Sequence, residues 1–564
     1  MYVRATPRRN KDGSVVRYLQ LAHNVWDPLA KRSRAEVIYN FGREDTQSRA
    51  AIERLAASLA RFLTPDAQLG APGGEGFSFL ESRSWGGCYA LDGLWHRLGI
   101  DAMLARQHVG RRRDASAERA LFALVANRAL APSSKLAASR WVGEDTHIAG
   151  LAETSDDACY RAMDWLLEIQ GSLEREVFHS VASLLNLEVD LLFFDTTSTY
   201  FCCDEADEPV ARNEHGLPAV DEDEAASLAG FRSYGHSKDH RPDLPQVVVG
   251  MAVTREGIPV RVWSWPGNTA DVTLIRQVKE ELREWTLGRV VWVADRGFAS
   301  QENRRVLRRG DDHYIMAEKL RGGSAEAKAA LARAGRYAEL AGGLRVKEVR
   351  VSHSERFVVC HNPEAAARDA AVRERMLARL QEMIAGSDRL SQSKRAELRG
   401  VISIKPGLAR LLRTTAGGLL RIDAAAIRAE EKLDGTYLLR CSDPSLSAEE
   451  IAQGYRQLWQ IERAWRDMKQ VIDLRPVYHR KEERIRAHVV LCWLALLLVR
   501  TIENTCDERW PALRSELQKI KLGSFAGPAG SFRQRTELTP AQRAILARLE
   551  LAEPARITEL APAS

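Results

Sequence analysis

Three carboxylates and one aromatic-to-lysine stretch carry the residues of this chain best suited to chemistry. In Tyr455-Arg456-Gln457-Leu458-Trp459-Gln460-Ile461-Glu462-Arg463-Ala464-Trp465-Arg466-Asp467-Met468-Lys469, the residues Tyr455, Glu462 and Lys469 recur at intervals of seven. On a single helix seven residues are nearly two turns, so the spacing predicts that all three share one face. A carboxylate between a phenol and an ammonium suits holding a metal ion and gripping a phosphate. Far upstream, Asp195 follows Val189-Asp190-Leu191-Leu192-Phe193-Phe194, and Asp295 follows Val290-Val291-Trp292-Val293-Ala294. Each aspartate is expected to end an apolar strand and to emerge at the C-terminal edge of a sheet, where a lone carboxylate is costly unless paired or bound to a cation. Three carboxylates from separate elements meet the needs of a pair of Mg²⁺ ions, which take oxygen ligands and keep positions open for water and phosphate. Taken singly, either aspartate reads as a strand-end cap or a salt-bridge partner. Their equivalent placement, with Glu462 on a later helix, favours the metal.

The elements that must position these groups read as α/β. Residues 187–319 give three consecutive strands, a helix, a strand, a helix and a strand, with Gln246–Val253 and Ile258–Trp265 joined as a hairpin through Thr254-Arg255-Glu256-Gly257. That order matches an RNase H-like catalytic core. Residues 320–440 interrupt it as a β-rich and helical insertion, and residues 441–519 complete it. Ahead of the core stand a β-module and helix over 1–68, a Gly/Pro-rich linker at 69–74, and a helical domain over 85–186. That domain holds helices at 117–130, 133–141 and 160–185, with Ser133-Ser134 as an N-cap sequence after Ala131-Pro132. It is equally an ordinary bundle or a DNA-binding domain behind Arg111-Arg112-Arg113. The tail from 520 to 564, rich in Gly, Pro, Ala and Arg, is expected to be loosely packed.

A chain of 564 residues implies roughly three or four structural units. With 45% hydrophobic and 28% charged residues it reads as globular rather than disordered. The eight cysteines show no C-x-x-C spacing, which points to a reduced, cytosolic protein without a zinc or disulfide framework. The N-terminus lacks the apolar core of a signal peptide, and the longest apolar run, Val489–Val499, is too short for a bilayer and reads as a buried core helix. A net charge of +6 is a weak argument for a nucleic-acid partner. Local basic clusters stand at Arg304-Arg305 with Arg308-Arg309 and from Arg475 to Arg486, and each alone reads more readily as a solvated surface.

Several phrases together resemble the DDE transposases of bacterial insertion sequences, in the cut-and-paste branch with a β-rich insertion before the glutamate. They are Phe194-Asp195-Thr196-Thr197-Ser198, Gly235-His236-Ser237-Lys238-Asp239-His240-Arg241-Pro242-Asp243, Pro266-Gly267-Asn268-Thr269-Ala270-Asp271, Ala294-Asp295-Arg296-Gly297-Phe298 and the Tyr455, Glu462, Lys469 series. The resemblance spans roughly residues 85–500 and implies that Asp195, Asp295 and Glu462 are the catalytic, metal-holding triad, with Mg²⁺ or Mn²⁺ as cofactor. It implies DNA contacts from Tyr455 and Lys469, and the partners it implies are double-stranded DNA, as terminal inverted repeats and target, and a second copy of the chain on paired ends. The activity implied is cleavage at element ends followed by strand transfer, in a bacterial cytoplasmic protein that joins the nucleoid when bound. The family carries arginine where this chain has Leu458; Arg466 is the first candidate to replace it and Arg456 the second, while Arg466 equally suits an i,i+4 ion pair with Glu462.

His236, Lys238 and Arg241 lie in a polar loop and are expected to position DNA or to pack the loop on the core. Zinc on His236 and His240 is disfavoured for want of a third local ligand. Asn268 and Asp271 read as a turn and N-cap, or as support for the site. The competing activities are an RNase H-like nuclease without strand transfer and an inactive, DNA-binding descendant. A glycoside hydrolase with two carboxylates is remote, since it leaves the Tyr455, Glu462, Lys469 face without a use.

Overall fold

The computed structural model describes residues 2–10, 14–27, 32–44, 77–108, 116–187, 189–203, 205–283, 285, 288–351, 356–527 and 530–562. The expected helix near 46–62, the linker at 69–74 and the triplet Arg111–Arg113 lie outside the described residues. The chain forms two compact units. The first comprises Met1–Leu187, Ile258–Trp263 and Trp465–Ser564, the second Glu188–Gly257 and Ser264–Ala464.

The first unit begins with strands β1 (Tyr2–Arg9), β2 (Val15–Asp27) and β3 (Arg32–Arg43), an antiparallel meander in that spatial order. β4 (Ser78–Ser84) leads into six helices, Gly86–Arg97, Ile100–His108, Ser116–Leu130, Lys135–Glu144, Asp156–Glu168 and Gln170–Leu185. Ser134 is the N-cap of Lys135–Glu144, its Oγ accepting from the Ala137 N–H at 3.2 Å. The helix expected over 160–185 is two helices, because Ile169 leaves helical geometry with φ −101° and ψ 5°. The helix Glu482–Cys506 packs against Ser116–Leu130 and Asp156–Glu168. It is long and apolar enough to cross a membrane, yet Val489–Val499 are all at most 2% exposed, so its apolar surface is spent inside the protein.

A nine-stranded mixed sheet carries the core strands, all of them in the second unit apart from residues 259–263. Its strands are β5 (Leu191–Tyr200), β8 (Gln246–Thr254), β9 (Pro259–Pro266), β10 (Val291–Ala294), β11 (His313–Glu318), β12 (Ala338–Glu339), β13 (Arg345–Arg350), β14 (Arg356–His361) and β17 (Thr436–Cys441). Two small ribbons, β6 (Val210–Arg212) with β7 (Ser227–Ala229) and β15 (Leu412–Thr414) with β16 (Leu420–Ile422), stand apart from it. The spatial order is β12-β13-β14-β17-β11-β10-β5-β8-β9. Strands β5, β10 and β11 are parallel neighbours, while β5 with β8 and β11 with β17 are antiparallel. Every residue of β8 and β10 is buried, as expected of central strands covered on both faces. The strands read between 320 and 440 therefore lengthen the core sheet, while the helices Pro363–Ile384 and Gln392–Ser403 share a small core around Leu380, Ile402, Leu408 and Leu411.

The C-terminal residues are not a loose tail. β18 (Lys521–Gly527), β19 (Gly530–Arg535) and β20 (Ile557–Pro562) join β4 in a sheet of order β20-β19-β18-β4, and the helix Pro540–Arg548 carries a capping box from Thr539 and Gln542. Phe525 stacks on Phe532 with ring centroids 5.0 Å apart and meets Phe79 at 5.4 Å. A Gly- and Ala-rich composition concealed these strands, and their cross-strand aromatic pairs hold them.

Candidate active site

The parallel pairing of β5 with β10 ends at Phe194 opposite Ala294. Asp195 and Asp295 are the next residue on each strand, and neighbouring strands lie about 4.8 Å apart, so the two carboxylates share one sheet edge. Asp195 does not end its strand as the sequence suggests. β5 runs on to Tyr200, because residues 195–200 keep their pairing with β8 after β10 has turned away into the 3₁₀ turn Arg296–Phe298.

Glu462 reaches the same place from a different kind of element than expected. The stretch from Tyr455 to Lys469 is not one helix: Ala448–Arg456 ends at the C-cap Gln457, and Trp459–Gln470 begins two residues later. Around the join the bonds shorten to i−3, from Leu458 N–H to Tyr455 O at 3.0 Å, Gln460 N–H to Gln457 O at 2.9 Å and Ile461 N–H to Leu458 O at 3.1 Å. This tighter turn removes the seven-residue register on one face. Tyr455 sits in the last turn of one helix and Glu462 in the first turn of the next, and both still line one cleft.

That cleft, of about 390 Å³, is lined by Asp195, Asp295 and Glu462 with Asn362, Tyr437, Tyr455, Arg456, Leu458 and Trp459 among its other walls. A neighbouring cleft of about 430 Å³ shares Asp295, Tyr437 and Tyr455 and adds Arg296, Lys319 and Arg321. Tyr455 Oη donates to Asp295 Oδ1 at 3.3 Å, and its ring stacks on Tyr437 with centroids 5.9 Å apart. Burial first, and then the Asp295 charge, push the Tyr455 phenol well above its ordinary range, so it remains a donor. Of the two candidates to replace the arginine absent at Leu458, Arg456 lines the cleft. Arg466 and Lys469 lie further along Trp459–Gln470, beyond Trp465 where the chain passes into the first unit.

Lys238, expected to position DNA or to pack its loop on the core, turns inward. Its Nζ stands 3.0 Å from Asp271 Oδ2 and 3.8 Å from Asp195 Oδ1, and it donates to Thr196 O at 2.8 Å and to Thr196 Oγ1. Its backbone N–H donates to Ser198 Oγ at 2.9 Å, which laces the loop to β5. Asp271 is neither an N-cap nor a bystander: it accepts from Thr196 Oγ1 at 2.6 Å. Gly235 and Gly267, both in the phrases quoted above, let this loop close on the sheet, since a Cβ on Gly235 would stand 2.0 Å from Gly267 O. Arg241 pairs with Asp243 at 2.8 Å and lies over the Tyr200 ring at 5.3 Å, while His236 is exposed. The two basic clusters read as solvated surface are largely engaged in ion pairs, among them Arg304 with Glu318, Arg484 with Asp164 and Arg486 with Glu482.

Asp195 titrates abnormally. Removal from water, and then the charges of Asp271 and Asp295, push its carboxyl up to about 6 against the opposing pull of Lys238 and the Thr196 N–H. A carboxylate cluster that already draws one ammonium into contact, with oxygen atoms only, fits a hard divalent cation. Among the described residues no three His, Cys, Asp or Glu side chains stand together closely enough to hold a metal ion, while Asp195, Asp295 and Glu462 line one cleft. Tyr437 and Asn362 escaped the sequence reading as site residues, and Asp271 was read only as a turn and N-cap or as support for the site. The Asp271 phrase was visible, but nothing in spacing ties it to Thr196, which lies 75 residues earlier.

Residues 224–498 match the transposase DDE domain family, which defines the class as a DNA transposase enzyme. Residues 3–69 match the N-terminal domain of IS1634-family transposases. Together the two matches indicate an insertion-sequence DDE transposase. No curated protein matches it. Among solved structures it is similar to the piggyBac transposase in a synaptic complex with hairpin DNA, at 10% identity and a TM-score of 0.34, covering 77% of this chain and 78% of that one. It is also similar to the Mos1 mariner paired-end complex with Mn, at 11% identity and a TM-score of 0.14, covering 48% of this chain and 68% of that one.

Proposed function

We propose that this transposase cuts a phosphodiester at each end of its element and joins the freed 3′-hydroxyl to target DNA, on an RNase H-like core made of β5, β8, β9, β10 and β11. The observation that carries the reading is the placement of Asp195 and Asp295 one residue beyond the paired ends of adjacent parallel strands, on the cleft that Glu462 also lines. These three side chains would hold Mg²⁺, or Mn²⁺ in its place, and the bound ions would supply an activated oxygen nucleophile and offset charge on the leaving oxygen. Tyr455 restrains the Asp295 carboxylate by donating to it. Asp271 and Lys238 restrain the Asp195 side of the pair through Thr196. Arg456 offers a guanidinium to a phosphate entering the cleft. Lys469, Arg466, His236 and Arg241 are assigned to the DNA backbone outside it, where their contribution weakens with salt. The partners are duplex element ends and target DNA, engaged by two copies of the chain.

The test is cleavage of a labelled duplex bearing the element's own end by the parent, Asp295→Ala and Glu462→Gln, with Mg²⁺ supplied or withheld. The expected result is Mg²⁺-dependent cutting by the parent alone, leaving a free 3′-hydroxyl that appears joined to a second duplex. Equal cutting by all three proteins would place the active site elsewhere, and cutting without joining would reduce the enzyme to a nuclease.

A further inference from the structure

Lys238 brings a positive charge to a place that otherwise gathers carboxylates, and its loop leaves it little freedom to go elsewhere. Ser233 and Gln246 exchange both backbone hydrogen bonds at 3.0 Å where the loop meets the sheet. Ser237 Oγ then accepts from the Arg241 N–H at 3.0 Å, and the Lys238 N–H donates to Ser198 Oγ at 2.9 Å. The turn is thereby closed, and the root of the flexible lysine stem is fixed to β5, the strand that carries Asp195. An ammonium has three N–H donors. Nζ directs them to Asp271 Oδ2 at 3.0 Å, to Thr196 O at 2.8 Å and to Thr196 Oγ1, whose own proton goes to Asp271 Oδ1 at 2.6 Å.

Asp195 is treated differently. Its Oδ1 lies 3.8 Å from the same ammonium, near enough for the charge to act and too far for a hydrogen bond. Lys238 therefore offsets the Asp195 charge while leaving the carboxylate lone pairs free for a hard cation. The balance of charge then sets the order in which things bind. Asp195, Asp271 and Lys238 together carry a single net negative charge. A divalent cation held there would leave a net positive charge in a partly buried place, and the one negative charge of a phosphodiester would cancel it. With the ammonium gone, the two carboxylates and the cation would balance without DNA.

We propose that Lys238 is a positioning residue that makes metal binding at Asp195 depend on DNA: its ammonium keeps the cation weakly held until a backbone phosphate enters the cleft. This role rests on the metal-holding function proposed above and adds an order of assembly to it. By linkage, the factor by which DNA tightens the metal is also the factor by which the metal tightens DNA.

The experiment measures Mn²⁺ binding to the full chain, from the electron spin resonance of the free ion, with and without a pre-cut duplex ending in the element's own 3′-hydroxyl, so that no cutting intervenes. In the parent the duplex is expected to tighten Mn²⁺ at least about tenfold, and Mn²⁺ to tighten the duplex by the same factor. Lys238→Met keeps the aliphatic stem and removes the charge. It is expected to bind Mn²⁺ about tenfold more tightly without DNA and to lose most of the tightening with it. Lys238→Arg retains the charge and is expected to keep the dependence on DNA, which a residue that only packs the loop would not require. Asp271→Asn leaves the ammonium with one carboxylate fewer and is expected to bind Mn²⁺ more weakly than the parent without DNA. Melting temperatures taken without metal check the fold, and Lys238→Gln, neutral yet able to donate to Thr196, repeats the test should the Met variant not fold. Parent-like Mn²⁺ affinity in the neutral variant, or equal tightening by DNA in it and in the parent, overturns the role of Lys238; the cleavage reading then still stands if Asp295→Ala weakens Mn²⁺ binding. Mn²⁺ binding that Asp295→Ala leaves unchanged overturns both.

Discussion

Like charges are gathered in two parts of this molecule and handled in opposite ways. At the cleft, Asp271 and Asp295 add to the cost of charging Asp195, and Lys238 answers Asp195 and Asp271. In the helical first unit, Arg128, Lys135, His479 and His488 are gathered with main-chain carbonyls as the principal answer: Arg128 Nη1 donates to Asp473 O at 3.0 Å and His488 Nε2 stands 3.1 Å from Leu474 O. There the charge is largely given up. Burial, and then Arg128, bring the Lys135 ammonium down to about 7; burial and the charge of Lys135 bring His479 down to about 4 and hold the fully buried His488 well below its ordinary value. A core that no counter-ion can enter discharges its titratable groups, whereas a cleft open to solvent can retain carboxylates that an arriving cation will satisfy.

The sharpest break in the comparison comes from deleting a carboxylate at the cleft. Asp295→Ala is expected to lower the cutting rate by at least about 10³-fold, equivalent to roughly 4 kcal/mol of barrier, because an interaction made with developing charge is lost. The melting temperature without metal should not fall with it. A parallel loss of folding would mean that Asp295 serves the sheet rather than the reaction.

The next effect belongs to the helical core. Lys135 is 4% exposed, and its Nζ lies 3.5 Å from His488 Nδ1. Its folded pKa, about 7, is below the ordinary lysine value of 10.5, so the group imposes a cost that is fullest below pH 7 and is relieved as pH rises toward the unfolded value. Lys135→Met keeps the aliphatic stem and is expected to add about 2–4 kcal/mol at pH 7, flattening the rise in stability of the parent between pH 7 and 10. Denaturant unfolding of both proteins across that window measures it. A destabilised Lys135→Met would show that the cationic cluster holds the fold in a way the comparison denies.

A smaller gain is expected at the cleft itself. Asp195, with a side chain 26% exposed, has a folded pKa of about 6 against an ordinary 3.8. The folded state therefore binds the extra proton between those values, stability falls as pH rises through the window, and the cost is complete above pH 6. Metal-free Asp195→Asn is expected to gain about 1–3 kcal/mol at pH 7 and almost nothing at pH 4. Adding Mg²⁺ should stabilise the parent more than the variant. Equal gains at both pH values would point to packing rather than charge.

The same contrast explains what could be read from the sequence. Buried apolar runs announced β5, β8, β9, β10 and β11, and with them the two aspartates, because strands covered on both faces leave little room for polar residues. Glu462 was legible as a residue but its setting was not. Helical periodicity does not register a turn tightened by i−3 bonds at Leu458 and Gln460, so two helices read as one. The contacts of Lys238 and Asp271 with Thr196 join residues 42 and 75 apart, and only the folded sheet brings them together. β1 was legible only as part of the β-module over 1–68, since Arg4, Pro7, Arg8 and Arg9 blur the bounds of a strand.

The finest division between the two clusters lies in hydrogen bonds rather than charges, and Tyr455 tests it. Its Oη reaches Asp295 at 3.3 Å, a long bond, and the ring retains its stacking on Tyr437 whether or not the hydroxyl is present. Tyr455→Phe is therefore expected to leave the melting temperature unchanged and to lower cutting by up to about tenfold, because at 3.3 Å the bond is worth no more than an ordinary hydrogen bond of about 0.5–1.5 kcal/mol. The loss should appear in the rate at saturating DNA if the hydroxyl only orients Asp295, and in the affinity for DNA if it grips a phosphate as the sequence suggests. A single-turnover rate measured beside a binding titration separates the two. Unchanged rate with weakened binding would move Tyr455 from the carboxylate to the substrate, and leave Asp195, through Thr196 and Lys238, as the more firmly restrained of the two aspartates.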